Sequence, residues 1–197
     1  DRLTLSCQME LNERGEVVKH EIFDSVIHSN YRMTYDEVNE IITDQNAETR
    51  NKYSEVTPML DLAQDLSQRL VNMRRRRGEI DFDIDEAKVL VNEEGIPTDV
   101  QLRKRGEGER LIESFMLAAN ETIAEHFDRL EVPFIYRVHE QPKSERLRQF
   151  FDFVTNFGLM IKGTGEDIHP STIQKIQQEV EGQPEQMVIS TMMLRSM

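Results

Sequence analysis

Residues Asn72–Asp85 read NMRRRRGEIDFDID, four consecutive arginines followed by acids at Glu79, Asp81, Asp83 and Asp85. Cations beside regularly spaced carboxylates could hold a phosphate and a divalent metal. The spacing argues for something plainer. In a strand, Asp81, Asp83 and Asp85 point one way and Ile80, Phe82 and Ile84 the other, as on any half-buried strand. A calcium loop needs Gly at its sixth position and Glu at its twelfth, where this chain has Glu86 and Asn92. A DxDx(T/V) nucleophile motif fails as well, because Asp85 stands where Thr or Val is needed. Arg74 to Arg77 fan around a helix at ~100° per residue instead of forming a stripe, and they suit the negative end of a helix dipole. The stretch therefore reads as two structural elements meeting, with Phe82 as its one residue of functional interest.

Three other side chains merit the same test. Glu113 and Asn120 lie seven residues apart in a strongly periodic segment, so both project from about the same helical face, near Met116 and Leu117. A pair between Arg110 and Glu113 is the plain alternative for the carboxylate. Tyr35 and Phe82 each open an element, where side chains often face a cleft. The remaining phenylalanines, among them Phe115, Phe127, Phe150 and Phe153, fall at helical spacings and belong to a core.

The elements that position these residues follow from periodicity. Leu3 to Asn30 alternates around NERGE, a hairpin turning near Gly15. Thr34 and Glu37 form a capping box, which puts Tyr35 in the first turn of a helix with Val38, Ile41 and Ile42 on one face. A second helix takes Thr57 as cap and Pro58 as first residue, carries Leu62, Leu66, Leu70 and Met73, and stops at Gly78. A strand from Ile80 leads into a second hairpin turning at Glu94 and Gly95. The following helix, ERLIESFMLAANETIAEHFDRL, is expected to bury Ile112, Phe115, Met116, Ala119, Ile123 and Phe127. VPFIYRVHE reads as a strand, and helices follow over 144–157, 171–180 and from Pro184 onward. The fold class is α+β, antiparallel hairpins packed with long helices.

Composition narrows the function. The chain has 197 residues, enough for a substantial core, and 31% charged residues, which favours long helices with wet faces. Its net charge of −13 argues against a nucleic-acid binder that works by coating itself in cations. The single cysteine, Cys7, cannot form an internal disulfide, no signal peptide or apolar run of membrane-spanning length is present, and the expected compartment is the cytoplasm. The histidines at 20, 28, 126, 139 and 169 show no zinc spacing. The last helix stops without a glycine cap or polar tail, and the first residue leads straight into a strand. The chain is therefore expected to be an internal portion of a longer one.

The wording of five stretches goes further: DRLTLSCQMELNERGEV, RRGEIDFDIDEAKV, GEGERLIESFMLAANETIAEHF, VPFIYRVHEQP and ISTMMLRSM. Together, over essentially the whole chain and in the same order, they resemble the RNB catalytic domain of the ribonuclease II and ribonuclease R family, most closely its bacterial ribonuclease R branch. The resemblance implies the central part of a processive exoribonuclease that removes nucleotides from the 3′ end of single-stranded RNA with Mg2+. It also implies that the aspartates binding the metal and the tyrosine stacking on the 3′-terminal base precede Asp1. The arginine motif of the TSPIRRY type would follow Met197. No catalytic or metal-binding residue is then expected among residues 1–197, and the isolated chain should be inactive. Three residues carry over: Tyr35 as a contact to the sugar near the 3′ end, Glu113 as its partner in telling ribose from deoxyribose, and Phe82 as a base-stacking aromatic at the far end of the buried RNA. Asn120 is a weaker RNA-binding candidate from spacing. The rival class is a non-catalytic, acidic, helix-rich interaction module whose apolar C-terminal helix docks on a partner.

Overall fold

A computed structural model describes residues 1–82, 86–103, 105–138, 141–159 and 170–197. The chain divides into two units, residues 1–73 with 85–135, and residues 74–84 with 136–197.

In the first unit, β1 (Arg2–Leu11) and β2 (Val17–Ile27) form an antiparallel hairpin, with Met9 opposite His20 and Cys7 opposite Ile22. The Asn12 side chain builds its turn by accepting hydrogen bonds from the backbone N–H groups of Arg14 and Glu16. Asn92 does the same for Glu94 and Ile96 in the second hairpin, β3 (Glu86–Val91) and β4 (Pro97–Arg103). NERGE and NEEGI are thus one turn used twice, with glycine at φ +79° in both. The two positions differ in surroundings. A Cβ on Gly15 would stand 2.8 Å from the Arg69 carbonyl oxygen, whereas one on Gly95 would meet nothing within 4 Å.

Helix α1 (Tyr35–Ile42) starts at Thr34 with the expected capping box. A short helix, α2 (Ala47–Lys52), follows with Asn46 as cap. Its sequence, AETRNK, has no apolar face and so gave no periodic signal. Helix α3 (Thr57–Arg77) begins at Thr57 itself. Thr57 does not cap that helix as expected: its hydroxyl donates to the carbonyls of Tyr53 and Arg50, because α2 and its turn run into α3 with little break. Arg50 clamps this corner with a two-pronged pair to Asp61 and a bond to the Ile41 carbonyl.

Helix α4 (Glu107–Arg129) has the expected extent but not the expected core face. Its buried stripe is Gly108, Leu111, Ser114, Ala118 and Thr122, while Ile112 and Met116 are 42% and 55% exposed. Small residues let neighbouring backbone come close, and that outweighs the pull of larger side chains on the next face. Ile41, Ile42, Leu60 and Leu111 make the core here, with Val38, Tyr53 and Phe115 against it. The hairpin meets α4 through a hydrogen bond between His20 Nε2 and His126 Nδ1, 2.9 Å, and through Thr122 Oγ1 on Met9 Sδ, 3.3 Å. Residues 132–138 join no ladder, contrary to the strand expected there. Phe134 stacks on Phe127 at 4.5 Å.

The second unit holds α5 (Ser144–Thr155), α6 (Pro170–Val180), α7 (Gln186–Ser196) and the end of α3. Phe150, Val154, Ile176, Val180, Ile189 and Met193 are buried together. Arg74 is buried and pairs with Glu79 at 2.8 Å, and the Gln174 amide donates to the carbonyls of Arg75 and Glu79. Of the arginine run, Arg74 is held inside and Arg75, Arg76 and Arg77 are exposed at the end of the helix. Residues 79–82 are not strand; Ile80 and Phe82 pack on the apolar cluster, and Asp83 and Asp85 lie outside the described residues.

Because only one of the two turn glycines touches a helix, Gly15→Ala should cost more than Gly95→Ala. The shared positive φ costs each about 1–2 kcal/mol, and the contact with Arg69 adds to the first alone. Urea midpoints of the two variants check this, and equal losses would contradict it.

Candidate functional site

Helix α4 starts at Gly106, which has no side chain to cap it. The cap comes from α1 instead. Asn39 Oδ1 accepts the Gly108 N–H at 2.7 Å, and Asn39 Nδ2 donates to Glu109 Oε2 at 3.2 Å. Glu109 in turn accepts the Gly106 N–H at 3.0 Å, so two side chains, Asn39 and Glu109, satisfy donors that a helix start leaves open. A Cβ on Gly106 would sit 2.3 Å from Asn39 Nδ2, which leaves no room for a larger residue.

This junction fixes Tyr35, the first residue of α1. Tyr35 is 44% exposed and lines a cavity of about 540 Å³ with Met33, Val38, Leu60, Leu111 and Ile112. The walls are mainly apolar, suited to a flat ring or a sugar face. Ile112 ends the α4 wall, and Glu113 is the next residue along the helix.

Glu113 pairs with Arg105, not with the expected Arg110, which reaches Glu107 at 3.9 Å. Sequence spacing missed Arg105 because it lies before the helix, outside the i, i+3 and i, i+4 rules. Glu113 remains partly exposed, and Asn120 is exposed two turns on. Phe82 lies in the second unit, half-buried against its apolar cluster.

Glu37 anchors the first turn of α1. Its carboxylate accepts hydrogen bonds from the Tyr53 hydroxyl, from the Thr34 backbone N–H at 3.0 Å and from Lys52 at 3.1 Å. These bonds, Tyr53 first, hold its pKa at about 2, against an ordinary 4.5. Arg50 likewise holds Asp61 below its usual range. No three His, Cys, Asp or Glu side chains converge among the described residues. Also among the described residues, no helix is long and apolar enough to cross a membrane.

The RNB domain profile matches residues 1–197. The chain belongs to the RNB domain family. Ribonuclease R 1 of Lactococcus lactis is 48% identical over 197 residues, matching all of this chain and 24% of its own length. Ribonuclease R of Thermotoga maritima is 39% identical, again over all of this chain and 28% of its own length. This RNB chain thus spans about a quarter of the length of the relatives it matches. Mycoplasma genitalium RNase R, solved with ribose-methylated single-stranded RNA, superposes over 99% of the chain and 30% of its own, with TM-score 0.88 and 24% identity. The same protein with double-stranded RNA gives 0.85 and 25%, over 99% of the chain and 34% of its own. The α+β fold with two antiparallel hairpins is therefore that of ribonuclease R over this span.

The lowered pKa values give a pH dependence of definite sign. Carboxylates with folded pKa below the unfolded value stabilise the fold fully above the unfolded value, and that stabilisation is lost as pH falls through the folded one. Stability from Glu37 should hold above pH 4.5 and fade toward pH 2. A Glu37→Gln variant should lose stability less steeply across that window in acid titrations followed by circular dichroism. An unchanged slope would show that the carboxylate is not held as described.

Proposed function

We propose that the chain is part of the catalytic domain of a processive 3′-to-5′ exoribonuclease that degrades single-stranded RNA in the cytoplasm with Mg2+. The observation that carries this is 48% identity to a ribonuclease R over 197 residues, all of this chain. In the full-length protein the ion would supply an activated water and neutralise charge on the phosphoryl oxygens. Its ligands, and the residues that act on the scissile phosphate, would lie in the rest of that protein.

This chain's share is the reading of the substrate. Tyr35, at the mouth of an apolar cavity, contacts the sugar near the 3′ end. Glu113 accepts a hydrogen bond from a 2′-OH, a donor that DNA lacks. Phe82 stacks on a base without reading sequence, a contact worth about 1–3 kcal/mol, and Asn120 adds a polar contact. An acidic chain can bind RNA this way because sugar hydroxyls and ring faces, unlike phosphates, need no cation. Against the interaction-module alternative stands the same match to a ribonuclease R; α7 buries Ile189 and Met193 within its own unit and leaves Met187, Val188 and Leu194 exposed.

In the full-length protein, Glu113→Ala should keep RNA degradation and gain activity on DNA of the same sequence, so that the RNA-to-DNA rate ratio falls at least tenfold, about 1.4 kcal/mol of discrimination. An unchanged ratio would make Glu113 an ordinary surface carboxylate.

A further inference from the structure

On α4 the line opposite the buried stripe of Leu111, Ser114, Ala118 and Thr122 runs through Glu113, Met116 and Asn120. Met116 is 55% exposed. A lone exposed methionine is unremarkable on a protein surface; its setting here is more specific. Along this line stand a carboxylate, a thioether and a carboxamide, about 4.5 Å and then about 6 Å apart at the helical rise of 1.5 Å per residue. From Glu113 to Asn120 the helix carries no Lys or Arg. The line has no cation of its own, and the guanidinium that reaches it, Arg105, is paired with Glu113, so it is not built for phosphate. It offers an acceptor for a hydroxyl at one end, a donor and acceptor at the other, and between them a soft apolar group that fits the flat face of a ribose or a base.

We propose that Met116 is a positioning residue for single-stranded RNA, packing against the sugar and base of one nucleotide while Glu113 and Asn120 engage polar groups on either side. The inference rests on the RNA-binding reading of α4 and adds to it an apolar contact that locates the strand along the helix. Ile112, one turn earlier and 42% exposed, continues the apolar surface into the Tyr35 cavity, so sugar selection and strand position share one surface.

The test uses the full-length protein with Met116→Ala, Met116→Leu and Glu113→Ala. Binding of a labelled single-stranded RNA and of the matching DNA is measured by anisotropy in EDTA, and kcat, KM and melting temperature are measured alongside. Met116→Ala should weaken RNA binding and raise KM about fivefold, the effect of losing roughly 1 kcal/mol of apolar burial, with kcat and Tm close to wild type. Met116→Leu should restore binding to within about twofold. If Met116→Ala binds RNA like wild type while Glu113→Ala still alters the RNA-to-DNA ratio, the proposal is overturned and the RNA reading of α4 stands. Should neither variant change binding or selection, both are overturned. A drop in Tm that accompanies the loss of binding in Met116→Ala would mean that Met116 packs on protein, and would also overturn it.

Discussion

One amide side chain ties the first unit together at the point where its candidate site begins. Asn39, in the middle of α1, satisfies the exposed N-terminus of α4 that Gly106 cannot cap, and it does so only because Gly106 and Gly108 leave room for it. Replacing a side-chain cap typically costs about 1 kcal/mol, but the consequence here is also geometric. The bond sets α1 against α4, and with it the placement of Tyr35 relative to the helix that bears Glu113. Tyr53, Lys52 and the Thr34 backbone hold the first turn of the same helix through Glu37.

That arrangement bears on how a chain of net charge −13 could serve an RNA enzyme. Affinity for phosphate grows with cations and is strongly salt-dependent. Selection of ribose requires the opposite local chemistry, an acceptor placed where a hydroxyl can reach it. Glu113 is the acceptor proposed for that role; it pairs with Arg105 and stands on a helix whose opposite face is packed through small residues. The acidic balance and the proposed role are therefore compatible, provided that the phosphate contacts are made elsewhere in the full-length protein.

Much of the scaffold was legible because it rests on local rules. The two Asn-Gly turns, the Thr34 capping box, the stop of α3 at Gly78 and the lengths of α4 and α5 all follow from neighbouring residues. Features that depend on distant partners were not. AETRNK folds as α2 because Arg50 finds Asp61 and the Ile41 carbonyl, which no period reveals. The core face of α4 was misassigned because Ser114, Ala118 and Thr122 look unremarkable beside Ile112 and Met116, yet allow closer packing. VPFIYRV alternates like a strand, yet residues 132–138 join no ladder. At the site, the position of Tyr35 followed from the cap, and the shared face of Glu113 and Asn120 followed from spacing. The Asn39 bridge and the Arg105 partner could not be foreseen, since the first joins residues 69 apart and the second lies outside the helix.

The most direct test of this account is the ratio of degradation rates on single-stranded RNA and matched DNA for Asn39→Ala in the full-length protein, at a temperature where the variant remains folded. Tyr35 and Glu113 are both intact in that variant. If the Asn39 bridge sets their geometry, the ratio should fall toward that of a Glu113 variant. A ratio equal to wild type, with only the melting temperature lowered, would contradict the claim and reduce the bridge to a stabilising contact.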